Sequence, residues 1–128
     1  MNRLRRRLAS SEGFTLIELL VVIVIIGILL AIAIPSYLGF RKQAQDTAGE
    51  ANVREAVPSA ESYFATQGTY AGMNTTALTA IDSGLSKSVS VTENGTNYCL
   101  SAPGQNSVVW YFLGPGGTVT SVKPAAPC

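Results

Sequence analysis

The run Gly13-Phe14-Thr15-Leu16-Ile17-Glu18-Leu19-Leu20-Val21-Val22-Ile23-Val24-Ile25-Ile26-Gly27-Ile28-Leu29-Leu30-Ala31-Ile32-Ala33-Ile34-Pro35 decides how this chain is built. Every residue from Leu19 to Ile34 is apolar, counting Gly27, and Glu18 is the single charge between Phe14 and Phe40. Phe14 to Ile34 is 21 residues. A helix needs about 20 to cross a bilayer. Arg3, Arg5, Arg6 and Arg7 precede the run, and only Arg41 and Lys42 follow it closely. By the positive-inside rule the N-terminus faces the cytoplasm and the rest of the chain lies outside.

Glu18 is the residue that needs explaining. A carboxylate in hydrocarbon is costly, and such residues usually mark function and have a partner. No Lys, Arg or His lies within one helical turn of it. An ordinary secretory signal, with Ala31-Ile32-Ala33 as its small-x-small cleavage site, has an apolar core of about 7–15 residues and no use for an acid there. A plain single-pass anchor leaves Glu18 equally idle.

Gly13-Phe14-Thr15-Leu16-Ile17-Glu18, set between a basic leader and a long apolar run, resembles the N-terminus of type IV pilins and of the pseudopilins of type II secretion. The resemblance runs from Arg3 to Phe40. It implies cleavage between Gly13 and Phe14 by the membrane aspartic peptidase that processes prepilins, and N-methylation of Phe14 by the same enzyme. The mature chain is then Phe14 to Cys128, 115 residues, with 5 basic and 7 acidic side chains, a net of −2. Its new α-amino group, with a pKa of about 7.7–8, is largely protonated near neutrality. In the family, Glu18 is read as pairing with the Phe14 amine of a neighbouring subunit. A buried charge without a partner is far more costly than a paired one, so the pair sets axial register while the apolar helices supply affinity. The resemblance further implies a homo-oligomeric helical filament assembled through Phe14–Phe40 by pilus assembly machinery. The subunit is a single-pass membrane protein first and part of an extracellular fibre afterwards.

Gly27 and Pro35 are helix breakers. In similar pilins the stretch between them can kink, or lose helical structure in the filament. From Arg41 to Ala65 the pattern is amphipathic: Val53, Val57, Ala60 and Phe64 recur at helical spacing, flanked by Ala56 and Tyr63. That face is expected to be covered, and the side bearing Ala44, Ala48 and Ala51 to meet other helices. Glu50–Arg54 and, in the weaker order, Lys42–Asp46 form i,i+4 pairs. Pro58 predicts a bend or an interruption near Arg54. Gly68 predicts the helix end. A helix from Phe14 to Thr66 is about 80 Å long.

After Gly68 the chain reads as a connection with a short helix near Asn74-Thr75-Thr76-Ala77-Leu78, then strands at Ser86–Thr92, Thr96–Ala102, Ser107–Leu113 and Thr118–Val122. Asn94-Gly95, Pro103-Gly104 and Gly114-Pro115-Gly116-Gly117 are turn chemistry. The fold class is α+β: a long N-terminal helix whose outer half packs on a four-stranded antiparallel sheet, as in type IV pilins. The organisation is a cleaved leader at 1–13, a membrane and polymerisation half-helix at 14–40, an amphipathic half-helix at 41–66 and a globular head at 67–128. Trp110, Phe112 and Tyr98 read as core and edge packing. Cys99 and Cys128, the only cysteines, both fall outside the cytoplasm, where a disulfide is the default.

The chemistry-bearing side chains are few. Charged residues make up 13% of the chain, and it has no His, which removes the commonest general base and metal ligand. Two cysteines alone do not hold zinc. The sequence predicts no catalytic residue, no metal and no cofactor. The cations Lys87 and Lys123 are too few and too scattered for nucleic acid. Asn74-Thr75-Thr76 and Asn94-Gly95-Thr96 fit the N-glycosylation pattern, though a hairpin turn also accounts for the second. Three functions remain open: a structural pilin, a type II secretion or competence pseudopilin, and a secreted binding module released after Ala33. A calcium-ligand cluster, which would favour the secretion branch, is not seen.

Overall fold

A computed structural model describes residues 13–128. The leader, with Arg3, Arg5, Arg6 and Arg7, lies outside the described residues. Helix α1 (Leu16–Gln67) runs without interruption and belongs to two compact units, one ending at Gly39 and one spanning Phe40–Cys128.

In the first unit α1 is apolar all round, with a mean hydropathy of 3.3 over its most apolar 18 residues. Helices of this kind face lipid or other protein rather than water. Within the unit its side chains from Phe14 to Gly39 are all exposed.

In the second unit α1 covers one face of a sheet. Short helix α2 (Thr75–Ile81) follows, then strands β1 (Ser90–Glu93), β2 (Tyr98–Pro103), β3 (Val109–Gly114) and β4 (Val119–Thr120). They form an antiparallel meander in the order β1-β2-β3-β4. The fold is therefore α+β with a four-stranded antiparallel sheet. Side chains alternate across a strand, so β2 turns Tyr98, Leu100 and Ala102 toward α1. Their partners on β3 are Gly114, Phe112 and Trp110. Val53, Ala56 and Ala60 of α1, all fully buried, meet this face, and Leu78 of α2 closes it. The α1 residues here are small, which brings the helix backbone near the sheet. An added Cβ on Gly49 would lie 2.7 Å from the Pro103 carbonyl oxygen.

Gly68, at φ +72°, ends α1 with its N–H on the Phe64 carbonyl at 2.7 Å, the left-handed cap expected of glycine there. Asn74 caps α2 by accepting from the Ala77 N–H at 2.9 Å.

Several expectations need correcting. At Pro58 the helix is not interrupted, which leaves the bend of the two outcomes expected there, and α1 also runs through Gly27 and Pro35 in this single copy. Each proline removes one donor, at the Ala31 and Arg54 carbonyls one turn earlier, while the bonds of the flanking turns remain. Phe64 is 41% exposed instead of covered, and stacks on Tyr70 with ring centroids 4.6 Å apart. Strand β1 begins four residues late. The Ser86 hydroxyl accepts from the Ser88 N–H, and the Val89 N–H closes a turn on the Ser86 carbonyl, so local serine bonds displace the ladder. Asp46 accepts from the Gln105 N–H at 2.6 Å rather than meeting Lys42. The Glu50–Arg54 pair forms as expected.

Candidate assembly site

The start of α1 is organised by Thr15 and Glu18. Thr15 precedes the helix, and its N–H and hydroxyl both donate to Glu18 Oε2, at 2.8 and 2.9 Å. In return the Glu18 N–H approaches the Thr15 hydroxyl oxygen at 3.3 Å. This reciprocal arrangement is a capping box, which satisfies helix-start donors that would otherwise lack partners. A negative side chain in the first turn also complements the helix dipole.

The cap revises the reading of Glu18 as an acid without internal partners. Among the described residues no cation meets it, but two donors of Thr15 do. The signal was present as Thr15-Leu16-Ile17-Glu18, a T-x-x-E ahead of an apolar run. Only one carboxylate oxygen is occupied by the cap, so Oε1 stays open to a further donor.

Gly13 and Phe14 lie just before the helix, and Phe14 is 83% exposed. Beyond them Leu16, Ile17, Ile23, Ile28, Leu29 and Ile32 are among the large apolar side chains left open within the unit. Exposed apolar surface costs about 25 cal/mol per Å² relative to burial. A surface this continuous marks an interface with lipid or protein.

In the second unit Cys99 and Cys128 are joined, with Cα atoms 5.2 Å apart. The Thr92 hydroxyl also donates to the Pro127 carbonyl at 2.6 Å, so two links hold the tail against β1 and β2. Tyr98 and Phe112 are buried, and Trp110 packs partly buried against the core. One cluster escaped the sequence reading: Glu61 of α1 accepts from the Tyr98 hydroxyl at 2.6 Å and from the Tyr70 hydroxyl at 3.0 Å. Its spacing to either tyrosine carries no local pattern. Among the described residues no group of three or more His, Cys, Asp or Glu side chains is placed to hold a metal ion.

The model for the prokaryotic N-terminal methylation motif matches residues 8–34, the segment that contains this cap. Over 91% of its length, the chain is 35% identical to the type IV wide pilus major component PilA4 of Thermus thermophilus, of which it covers 91%. The chain belongs to the type IV pilin family. A fimbrial protein of Neisseria meningitidis is 34% identical over 90% of this pilin and 79% of its own length. The type IV major pilin protein PilA of Myxococcus xanthus is 37% identical over 53% of the chain and 31% of its own.

Proposed function

We propose that this pilin is the structural subunit of a type IV pilus filament. It is inserted with its N-terminus in the cytoplasm, cut between Gly13 and Phe14 by prepilin peptidase and methylated on Phe14. It then polymerises through Phe14–Phe40 into an extracellular fibre. The observation that carries this reading is the capped start of α1 and the apolar run from Leu19 to Ile34 that follows it, whose side chains find no cover in their own unit.

The division of labour follows from the residues. Burying that surface against neighbouring copies drives association, because burial is non-directional and scales with area. Direction and register need a polar device, and Glu18 supplies it. Its cap leaves one oxygen for the Phe14 ammonium of an adjoining subunit, and a slipped register leaves two charges without partners in a low-dielectric bundle. Cleavage is required first, since the intact leader offers no amine at Phe14.

Mass spectrometry of the mature protein, with electron microscopy of surface filaments, tests this. N-methylated Phe14 at the start of a chain found in surface fibres is the expected result. Methylated Phe14 in a short periplasmic fibre assigns the secretion or competence branch instead. A chain starting at Met1, or at Ile34 as a released soluble module, overturns the proposal.

A further inference from the structure

The turn between β1 and β2 contains an Asn-Gly pair, the dipeptide most prone to spontaneous deamidation, because glycine has no Cβ to shield its nitrogen. In that reaction the Gly95 nitrogen attacks Cγ of Asn94. An N–Cγ bond forms, the Cγ–Nδ2 bond breaks, and ammonia leaves as a succinimide closes. Water then opens the ring at either carbonyl to give aspartate or isoaspartate. Asn94 is exposed, so solvent reaches it freely.

Both reacting groups are held in this fold. The Gly95 N–H donates to Glu93 Oε2 at 2.7 Å. Asn94 Oδ1 accepts from the Asn97 N–H at 2.8 Å, the Thr96 hydroxyl at 3.2 Å and the Thr96 N–H at 3.3 Å. The holder is itself anchored, because Glu93 Oε1 accepts from the Gly72 N–H at 3.0 Å. The Gly95 carbonyl in turn accepts from the Tyr70 N–H and the Thr69 hydroxyl. The turn is thus strapped to the loop that follows α1.

We propose that Glu93 guards Asn94 against deamidation. Ring closure requires the Gly95 nitrogen to lose its proton, and the resulting negative charge would form beside the Glu93 carboxylate. Like charges at that distance disfavour ionisation. Closure also requires the Asn94 side chain to turn its carbon toward that nitrogen, which breaks the bonds to Oδ1. The inference concerns the turn alone and holds whether or not the chain assembles.

The test follows conversion of Asn94 to aspartate and isoaspartate by peptide mass spectrometry in the full chain. The chain is held in detergent micelles in mildly alkaline buffer, alongside the same chain reduced and unfolded in urea. The folded chain is expected to convert about tenfold more slowly or less, a barrier difference of about 1.4 kcal/mol. Glu93→Gln, which removes the charge, and Thr96→Val, which removes one donor to Oδ1, are each expected to raise the folded rate severalfold without unfolding the head. Equal rates in folded and unfolded chains overturn the proposal. So does a slower rate in Glu93→Gln, which would make the carboxylate a base for the attacking nitrogen. If Glu93→Gln fails to fold, an unchanged rate in folded Thr96→Val overturns it.

Discussion

Tyr98 donates its hydroxyl to Glu61 across 2.6 Å, and this bond ties the first residue of β2 to the C-terminal end of α1. Burial and the Glu61 carboxylate raise the Tyr98 hydroxyl well above the ordinary tyrosine range, and raise Tyr70 in the same direction. A tyrosine that keeps its proton longer when folded than when unfolded stabilises the fold below its unfolded pKa of about 10 and loses that contribution as pH rises. Stability is therefore expected to hold through neutral pH and to decline in alkali. Tyr98→Phe should show a shallower alkaline decline, with a residual slope from Tyr70. Denaturant titrations of the two proteins at rising pH check this, and identical slopes would discard the role given to Tyr98.

Gly49 has a different task, which is to let two backbones meet. A Cβ there would sit 2.7 Å from the Pro103 carbonyl oxygen and 3.0 Å from Trp110 Cδ1. Alanine gains about 1 kcal/mol of helix propensity. Overpacking costs about 1–3 kcal/mol, and a backbone neighbour that cannot swing aside favours the upper end. Gly49→Ala is expected to destabilise the head by a net ~2 kcal/mol despite its better propensity. Melting followed by tyrosine and tryptophan circular dichroism measures it, and a more stable variant would show that β2 yields.

Local patterns in the sequence carried much of this fold. The apolar run, the spacing of Val53, Val57 and Ala60, Gly68, and the turn pairs Asn94-Gly95 and Pro103-Gly104 each report on neighbours a few residues away, so α1 and the four-strand meander were legible. What was not legible depends on distant partners. Nothing near Glu61 announces that residues 9 and 37 positions later will donate to it, and nothing near Gly49 announces Pro103. Phe64 was misplaced because helical spacing fixes a face but not where the sheet stops covering it. The cap between Thr15 and Glu18 was local and could have been read. It shows in the sequence as Thr15-Leu16-Ile17-Glu18, and it gives the carboxylate a hydroxyl and an amide as partners within its own unit.

The Cys99–Cys128 bridge closes a loop with a sequence separation of 29. In the chain-entropy account a loop of that size contributes about 3–4 kcal/mol. The double variant Cys99→Ser/Cys128→Ser is expected to lose about that much, with the larger part in faster unfolding if the tail docks late. The Thr92–Pro127 hydrogen bond alone is not expected to hold the tail, so cleavage after the exposed Val122 by an elastase-type protease should become rapid. Urea titration and limited proteolysis read the two effects, and an unchanged midpoint would mean that the tail adds nothing to the head.

Pro58 sits exposed inside a continuous helix. It denies the Arg54 carbonyl its usual donor, and an interior proline costs about 3 kcal/mol against alanine. Part of that is offset, because proline also restricts the unfolded chain by about 1 kcal/mol. Pro58→Ala is therefore expected to stabilise the second unit by ~2 kcal/mol. The same melting experiment checks it. A loss of stability would mean that α1 bends at this turn and that the sheet packs on the bend.

The cap at Glu18 and the ion pair proposed for it make different demands on the side chain, and substitution separates them. Its cap with Thr15 needs only an acceptor oxygen, whereas pairing with a neighbour's Phe14 ammonium needs the negative charge. Glu18→Gln keeps an acceptor for Thr15 and removes the charge; Thr15→Ala weakens the cap and leaves the charge. If register depends on the ion pair, Glu18→Gln and Glu18→Ala are both inserted and cut at Gly13–Phe14 yet form few fibres, while Thr15→Ala still assembles at a reduced level. If the cap were the whole purpose of the acid, Glu18→Gln would assemble like the parent and Thr15→Ala would fail. Counting surface filaments by electron microscopy, with the mature N-terminus verified in each variant, distinguishes the two. Normal fibres from Glu18→Ala would remove both roles at once.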